Sequence, residues 1–263
     1  MDRKLPHLPP VVASFCGTMI PIKGFKDLIA VSVPELTDLE QLSTALSSSN
    51  GKTQLKTIET LSTLGSSGEQ VLMDFLAKGD RHHPTWVQGT VFLKLRTSES
   101  AAVQEFLNRE FPQGVVPLKS DRDIDYSPLQ ALLIEQKFLE GDRLTLLKMC
   151  ELAGESAMTR KWLYFSEVNQ FPRTDLRTIN TLWLVYSEGK FGFSVQREIW
   201  LSLGKNWDKL WPKIQWRTGK AWTRYPSEFI WDLTAPKGHL PLTNQLRGVR
   251  VMNSLLSHPA WTD

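Results

Sequence analysis

Two arginines three residues apart, Arg247 and Arg250, close the stretch GHLPLTNQLRGVR that begins at Gly238. Asn244 reads as the N-cap of a helix whose apolar positions are Val249, Met252 and Leu256, which puts both guanidinium groups on one side near its start. Cations are poorly placed there, because the helix backbone already contributes about half a positive charge at its N-terminus. The pair therefore calls for an anion opposite it, a carboxylate or a phosphate. The competing reading is two solvated surface charges.

Just upstream the chain is dense in large rings. Trp183, Trp200, Trp207, Trp211, Trp216, Trp222 and Trp231 fall within 49 residues, whereas residues 1–161 contain only Trp86. Trp183 and Trp200 lie on apolar helical stripes and read as core. Trp222, Tyr225, Phe229, Ile230 and Trp231 lie where helical periodicity is lost, and such a cluster can line a slot for a flat ligand. The alternation of basic and aromatic residues in WPKIQWRTGKAWTRY, 211–225, would also suit single-stranded nucleic acid, although no RNA-recognition, zinc-finger or helix-turn-helix signature accompanies it.

Other chemistry is sparse. Gly51, Lys52 and Thr53 spell the end of a phosphate loop, but Leu46 stands where the earlier glycine is required. His82 and His83 are adjacent rather than one helical turn apart, and read as an exposed turn before Pro84 instead of a metal site. His239 is the one histidine that would suit axial ligation of a metallated ring; its ordinary reading is structural. Cys16 and Cys150 have no metal or disulfide spacing. No nucleophile with a base, informative carboxylate pair or dinucleotide fingerprint is visible, so the expectation is a binding protein with no catalytic residues and no metal site.

These residues must be positioned by helices. Apolar residues recur every three or four positions over 36–46, 52–64, 69–78, 85–95 and 98–111, which predicts a small antiparallel bundle; paired helices of this length also resemble a HEAT-type array, but they show no fixed repeat period. Residues 112–128, with two prolines flanking the charged run 119–125, read as the interdomain link. Further helices are expected over 129–139, 143–152, 176–186, 195–203 and 208–214, with Ser127 and Asp142 as starting residues for the first two. Residues 215–242 contain three prolines and two glycines and read as a long loop with at most a turn of helix. The expected class is all-α, in three parts: an irregular arm (1–35), the N-terminal helical bundle (36–122) and a core domain (123–263).

The net charge of +3 hides an asymmetry, since residues 1–125 stand at −2 and 126–263 at +5. This favours an anionic partner for the C-terminal part without the charge density of a dedicated nucleic-acid binder. Residues 11–22 are too short and too broken to span a bilayer, and the first thirty residues make a poor transit peptide, which leads to a cytoplasmic, bacterial expectation.

Residues 129–145 (LQALLIEQKFLEGDRLT), 178–200 (TINTLWLVYSEGKFGFSVQREIW), 206–211 (NWDKLW) and 238–250 together resemble the genomes-uncoupled-four family of porphyrin-binding accessory proteins of magnesium chelatase. The resemblance covers nearly all of residues 127–261. It implies an all-helical fold with a concave apolar surface partly covered by a long loop. It implies binding of protoporphyrin IX and magnesium protoporphyrin IX as ligands, with no permanent cofactor, and stimulation of magnesium insertion through the large porphyrin-binding subunit of the chelatase. A monomer is expected, with transient membrane association allowed and no nucleic acid. By the same resemblance Asn244, Arg247 and Arg250 match polar residues of the porphyrin site and Tyr225 an aromatic position of the covering loop. Phe229, Ile230 and Leu246 are added here as apolar neighbours. A porphyrin is an apolar plate with two propionates at one edge, and guanidinium groups hold carboxylates bidentately. Gly248, read as lying inside the helix, suggests close approach by a ring or a backbone. The chain stops just after Trp261, so the phosphorylated C-terminal extension of plant relatives has no counterpart and regulation by that route is not expected.

Overall fold

The computed structural model describes residues 36–242 and 248–262, and residues 35–263 form one compact unit. Its first five helices are α1 (Leu36–Leu46), α2 (Gly51–Thr63), α3 (Gly65–Lys78), α4 (Trp86–Arg96) and α5 (Ala101–Glu110). Local chemistry sets their starts. Asn50 caps α2 by accepting from the Lys52 and Thr53 amides, so Gly51-Lys52-Thr53 is a helix start and not a phosphate loop. Thr85 and Gln88 form a capping box on α4. α3 begins four residues before the expected position, immediately after α2, and Gly68 makes room for this: a Cβ there would collide with the Leu61 backbone. Each of α2, α3 and α4 packs on its neighbours around Leu46, Ile58, Leu61, Leu72, Leu76 and Val91, all essentially inaccessible to solvent.

Helix α4 also packs on α10 (Arg173–Val185). Phe92 faces Tyr186 at 6.3 Å between ring centroids, and the buried Tyr186 hydroxyl donates to Gln130 Oε1 while accepting the Val115 amide. The connecting residues 111–126 are irregular, as expected, but they are fastened down. Val115, Val116 and Tyr126 are buried, and the buried Asp175 of α10 accepts from the Ser120 hydroxyl, the Asp121 amide and the Tyr126 hydroxyl. Arg122 donates to the carbonyls of Leu152 and Gln170. A charged, proline-flanked stretch looks like a loose link in sequence because its partners lie about 30–55 residues further on.

The remaining α-helices among the described residues are α6 (Ser127–Ile134), α7 (Phe138–Ala153), the short α8 (Glu155–Arg160) and α9 (Phe165–Val168), then α10, α11 (Phe193–Ser202), α12 (Trp207–Lys213) and α13 (Arg250–Leu256), followed by a 3-10 turn, Pro259–Trp261. Two expectations about the first of these fail. α6 ends at Ile134 because Gln136 adopts a left-handed φ of 57°, and α7 starts at Phe138, so Asp142 lies inside the helix instead of opening it. Trp183 and Trp200 are core, as expected; Trp183 stacks on Phe138 and donates to the Thr145 hydroxyl.

Candidate functional site

Residues 215–242 are less of a free loop than their composition suggests. They contain a two-stranded hairpin, β1 (Arg217–Thr218) and β2 (Ala221–Trp222), with Arg217 opposite Trp222. The segment is then pinned to the helices. Trp216 is 1% exposed and its indole N–H donates to the His239 carbonyl; Gly238 N–H donates to the Lys190 carbonyl and Gly192 N–H to the Leu240 carbonyl. Gln196 of α11 donates to both the Gly238 and Pro241 carbonyls.

The tryptophans form a column. Trp200, Trp207, Trp211 and Trp216 follow one another at centroid separations of 4.8, 5.2 and 5.7 Å, the last pair nearly parallel at 10°. Trp216 continues to Phe229, and Phe229 to Tyr225 and Trp231. Of these rings, Trp200, Trp211, Trp216 and Phe229 are buried, whereas Tyr225 is 46% exposed and Trp222, which packs on Trp211, is 43% exposed. The surface offered to a ligand is therefore Trp222 and Tyr225, standing on a packed aromatic floor.

His239 is part of that floor. Its Nδ1 donates to the Ile214 carbonyl at 2.7 Å and its Nε2 accepts the Ile230 amide at 3.2 Å, which selects the neutral tautomer with the proton on Nδ1. Burial holds its pKa below the usual histidine value. With both nitrogens committed, the structural reading of His239 holds. His82 and His83 are exposed beside Pro84, with both amides bonded to Asp80. Among the described residues no cluster of histidine, cysteine or carboxylate side chains forms a metal site.

The expected site residues divide into three groups. Tyr225, Phe229 and Ile230 come together around His239 and Trp231. Arg250 opens α13 and lies over the Phe165 ring of α9 at 5.7 Å. Asn244, Leu246 and Arg247 lie outside the described residues. The expected helix does not reach back to Asn244: Val249 occupies the N-cap position and Gly248 has a φ of 77°. Gly248 is thus needed for a left-handed turn ahead of the helix, and a Cβ on it would meet no protein atom within 4 Å among the described residues, so no backbone approaches it closely.

Three features escaped the sequence reading. Arg160 is held bidentately by Glu167 at 2.6 and 2.8 Å and lies over the rings of Trp162 and Tyr164, next to α9. Asp142 of α7, 5% exposed, accepts the Leu242 amide at 2.7 Å. The Tyr225 hydroxyl lies beside both Asp142 and its neighbour Arg143. A signal for Asp142 does exist in sequence, since it falls on the apolar stripe of Phe138, Thr145, Met149 and Leu152, where a carboxylate needs a partner.

A family model described as GUN4-like matches residues 119–259, more than half of the chain. The chain belongs to the GUN4-like family. A second model, an ARM-like repeat domain of the GUN4 N-terminus, matches residues 31–112, which favours the HEAT-type array over the simpler bundle expected first. The Ycf53-like protein of Synechocystis sp. is 50% identical over 226 residues, covering 86% of this chain and 97% of that protein. A chloroplastic protein of Arabidopsis thaliana named as tetrapyrrole-binding is 37% identical over 145 residues, covering 52% of this chain and 55% of its own. The structure of GUN4 from Chlamydomonas reinhardtii matches at a TM-score of 0.52 and 40% identity, over 56% of this chain and 95% of that one. The GUN4-like match spans α6 to α13, and so includes the tryptophan column, the pinned segment 215–242 and Asp142.

Proposed function

We propose that this GUN4-like chain is a non-catalytic tetrapyrrole-binding regulator that takes protoporphyrin IX and magnesium protoporphyrin IX as ligands. In this reading it stimulates magnesium chelatase through that enzyme's large porphyrin-binding subunit, acting as a cytoplasmic monomer. The observation that carries the reading is the aromatic floor of segment 215–242 with Tyr225 and Trp222 exposed upon it, in the part of the chain that the GUN4-like family model matches. A porphyrin plate would lie against Tyr225, and guanidinium groups would take its propionates. Arg250 and the neighbouring Arg247 belong to this proposal, as do Asn244 and Leu246. With both nitrogens of His239 committed to backbone partners, that side chain would not hold the metal of the ring.

The column also bears on the nucleic-acid alternative. Trp211 and Trp216 are buried against each other, so two of the rings that would have to stack on bases are already used in packing.

Titration with protoporphyrin IX, followed by tryptophan emission, tests the proposal. A one-to-one saturable quench in the micromolar range or tighter is expected. Arg247→Ala combined with Arg250→Ala should weaken binding by about tenfold or more, the loss of a charge-assisted hydrogen bond being worth about 1.5–3 kcal/mol. Arg250 is exposed, so helical content should not change. Absence of saturable quenching, or displacement by oligonucleotide with a steep salt dependence, would sink the reading. Magnesium insertion by the chelatase subunits, measured with and without this chain, tests the regulatory half.

A further inference from the structure

Asp142 is built into the core at a cost that packing does not require. Leucine has a similar shape and would complete the stripe of Phe138, Thr145, Met149 and Leu152, whereas a carboxylate loses its hydration there. Burial pushes its pKa up to about 7, against the lowering effects of the Leu242 amide, Tyr225 and Arg143. What the carboxylate does instead is join elements far apart in sequence. Leu242 is a hundred residues away, at the end of the pinned segment, and Tyr225 is near its middle. One side chain on α7 thus bonds the end of the segment and lies beside the exposed ring on the aromatic floor.

Resting on the tetrapyrrole reading, we propose that Asp142 is a positioning residue for the ligand: it tethers Tyr225 and Leu242 to α7, and so fixes the ring that the tetrapyrrole lies against and slows its release. Tyr225 needs such a tether because it is half-exposed. Its edge contacts with Phe229 and Trp231, at 6.2 and 5.8 Å, support one side of the ring, and the polar side chains of Asp142 and Arg143 flank its hydroxyl end. Asparagine at 142 could still accept from the Leu242 amide and bond the tyrosine hydroxyl; leucine could do neither.

The test uses the full chain. Asp142→Leu, Asp142→Asn, Tyr225→Phe and the double variant Asp142→Leu/Tyr225→Phe are loaded with protoporphyrin IX, and release is followed by stopped flow into excess scavenging apoprotein. Asp142→Leu and Tyr225→Phe should each speed release about tenfold, the double variant should be no faster than Asp142→Leu, and Asp142→Asn should recover most of the wild-type rate. Additive effects in the double variant, or unchanged release in both single variants, overturn the proposal. If Asp142→Leu does not fold, the same coupling is read between Asp142→Ala and Tyr225→Phe. Hydrogen exchange at the Leu242 amide supplies a measurement without ligand: faster exchange in Asp142→Leu supports the tether and unchanged exchange refutes it. A wild-type chain that binds no protoporphyrin overturns the tetrapyrrole reading and the positioning role with it, while the exchange result still judges the tether alone.

Discussion

Replacing Gly89 with alanine sets two effects of opposite sign against each other at the seam between α4 and α10. Gly89 lies inside α4, where alanine is favoured by about 1 kcal/mol on intrinsic propensity. A Cβ there would stand 2.8 Å from the Val185 carbonyl carbon, closer still to its oxygen, and 2.5 Å from Val185 Cγ1. Ordinary contact between such atoms is about 3.5–4.0 Å, so the two helices would have to part by roughly 1 Å. The methyl of Val185 can rotate aside, but its carbonyl belongs to the last residue of α10 and cannot. Overpacking costs about 1–3 kcal/mol, and a backbone neighbour puts this site at the upper end, which leaves a net loss of about 2 kcal/mol. The seam holds Phe92 against Tyr186, so the loss should be felt by the whole unit. Thermal unfolding followed by far-ultraviolet circular dichroism should show a midpoint lower by roughly 4–8 °C. Adding Val185→Ala should recover only part of it, because the carbonyl remains. A midpoint equal to or above the wild type in Gly89→Ala would mean that propensity outweighs packing, and would refute the rigid-seam argument.

Two further outcomes follow from buried groups. Burial holds His239 and His258 neutral below the ordinary value of 6.5, with the Arg173 charge adding to the effect on His258. Their contribution to stability is therefore complete above about pH 6.5 and lost as pH falls below it, whereas Asp142 works the other way, losing stability as pH rises from 3.8 to about 7. Urea unfolding at pH 5 and pH 8 should show Asp142→Asn gaining on the wild type by up to about 3 kcal/mol between the two, and a pH-independent difference would contradict the assigned cause. Trp211→Ala removes the middle of the tryptophan column and should cost about 3–5 kcal/mol, measured by the same method; a loss below about 1 kcal/mol would show that the column is not part of the core.

The helices that were legible in sequence are those whose cause is local. The stripe of Leu55, Ile58 and Leu61, the cap Asn50 and the capping box of Thr85 with Gln88 each act within one or two turns, and α1, α2, α4 and α10 lie within three residues of their expected limits. The short α8 and α9 were missed because six and four residues carry too little periodicity to register. Phe229 and Tyr225 look alike in sequence, two aromatics in an irregular segment, yet one is buried and the other half-exposed. That difference depends on which face of the segment meets Trp216 and His239.

Sequence alone determined the helical class, the burial of Trp183 and Trp200, and, through blocks of rare residues in fixed order, the family. Tertiary structure decided what the polar residues do. Asp142 looks like a helix start until α7 is seen to begin at Phe138, and Gly248 looks like a helix interior until α13 is seen to begin at Arg250. The charged run 119–125 looks like a loose link until Asp175 and the Leu152 carbonyl are seen to hold it. In each case the deciding partner, or the backbone angle it permits, comes from contacts formed when distant segments meet, and a buried polar group is defined by its partner more than by its neighbours in the chain.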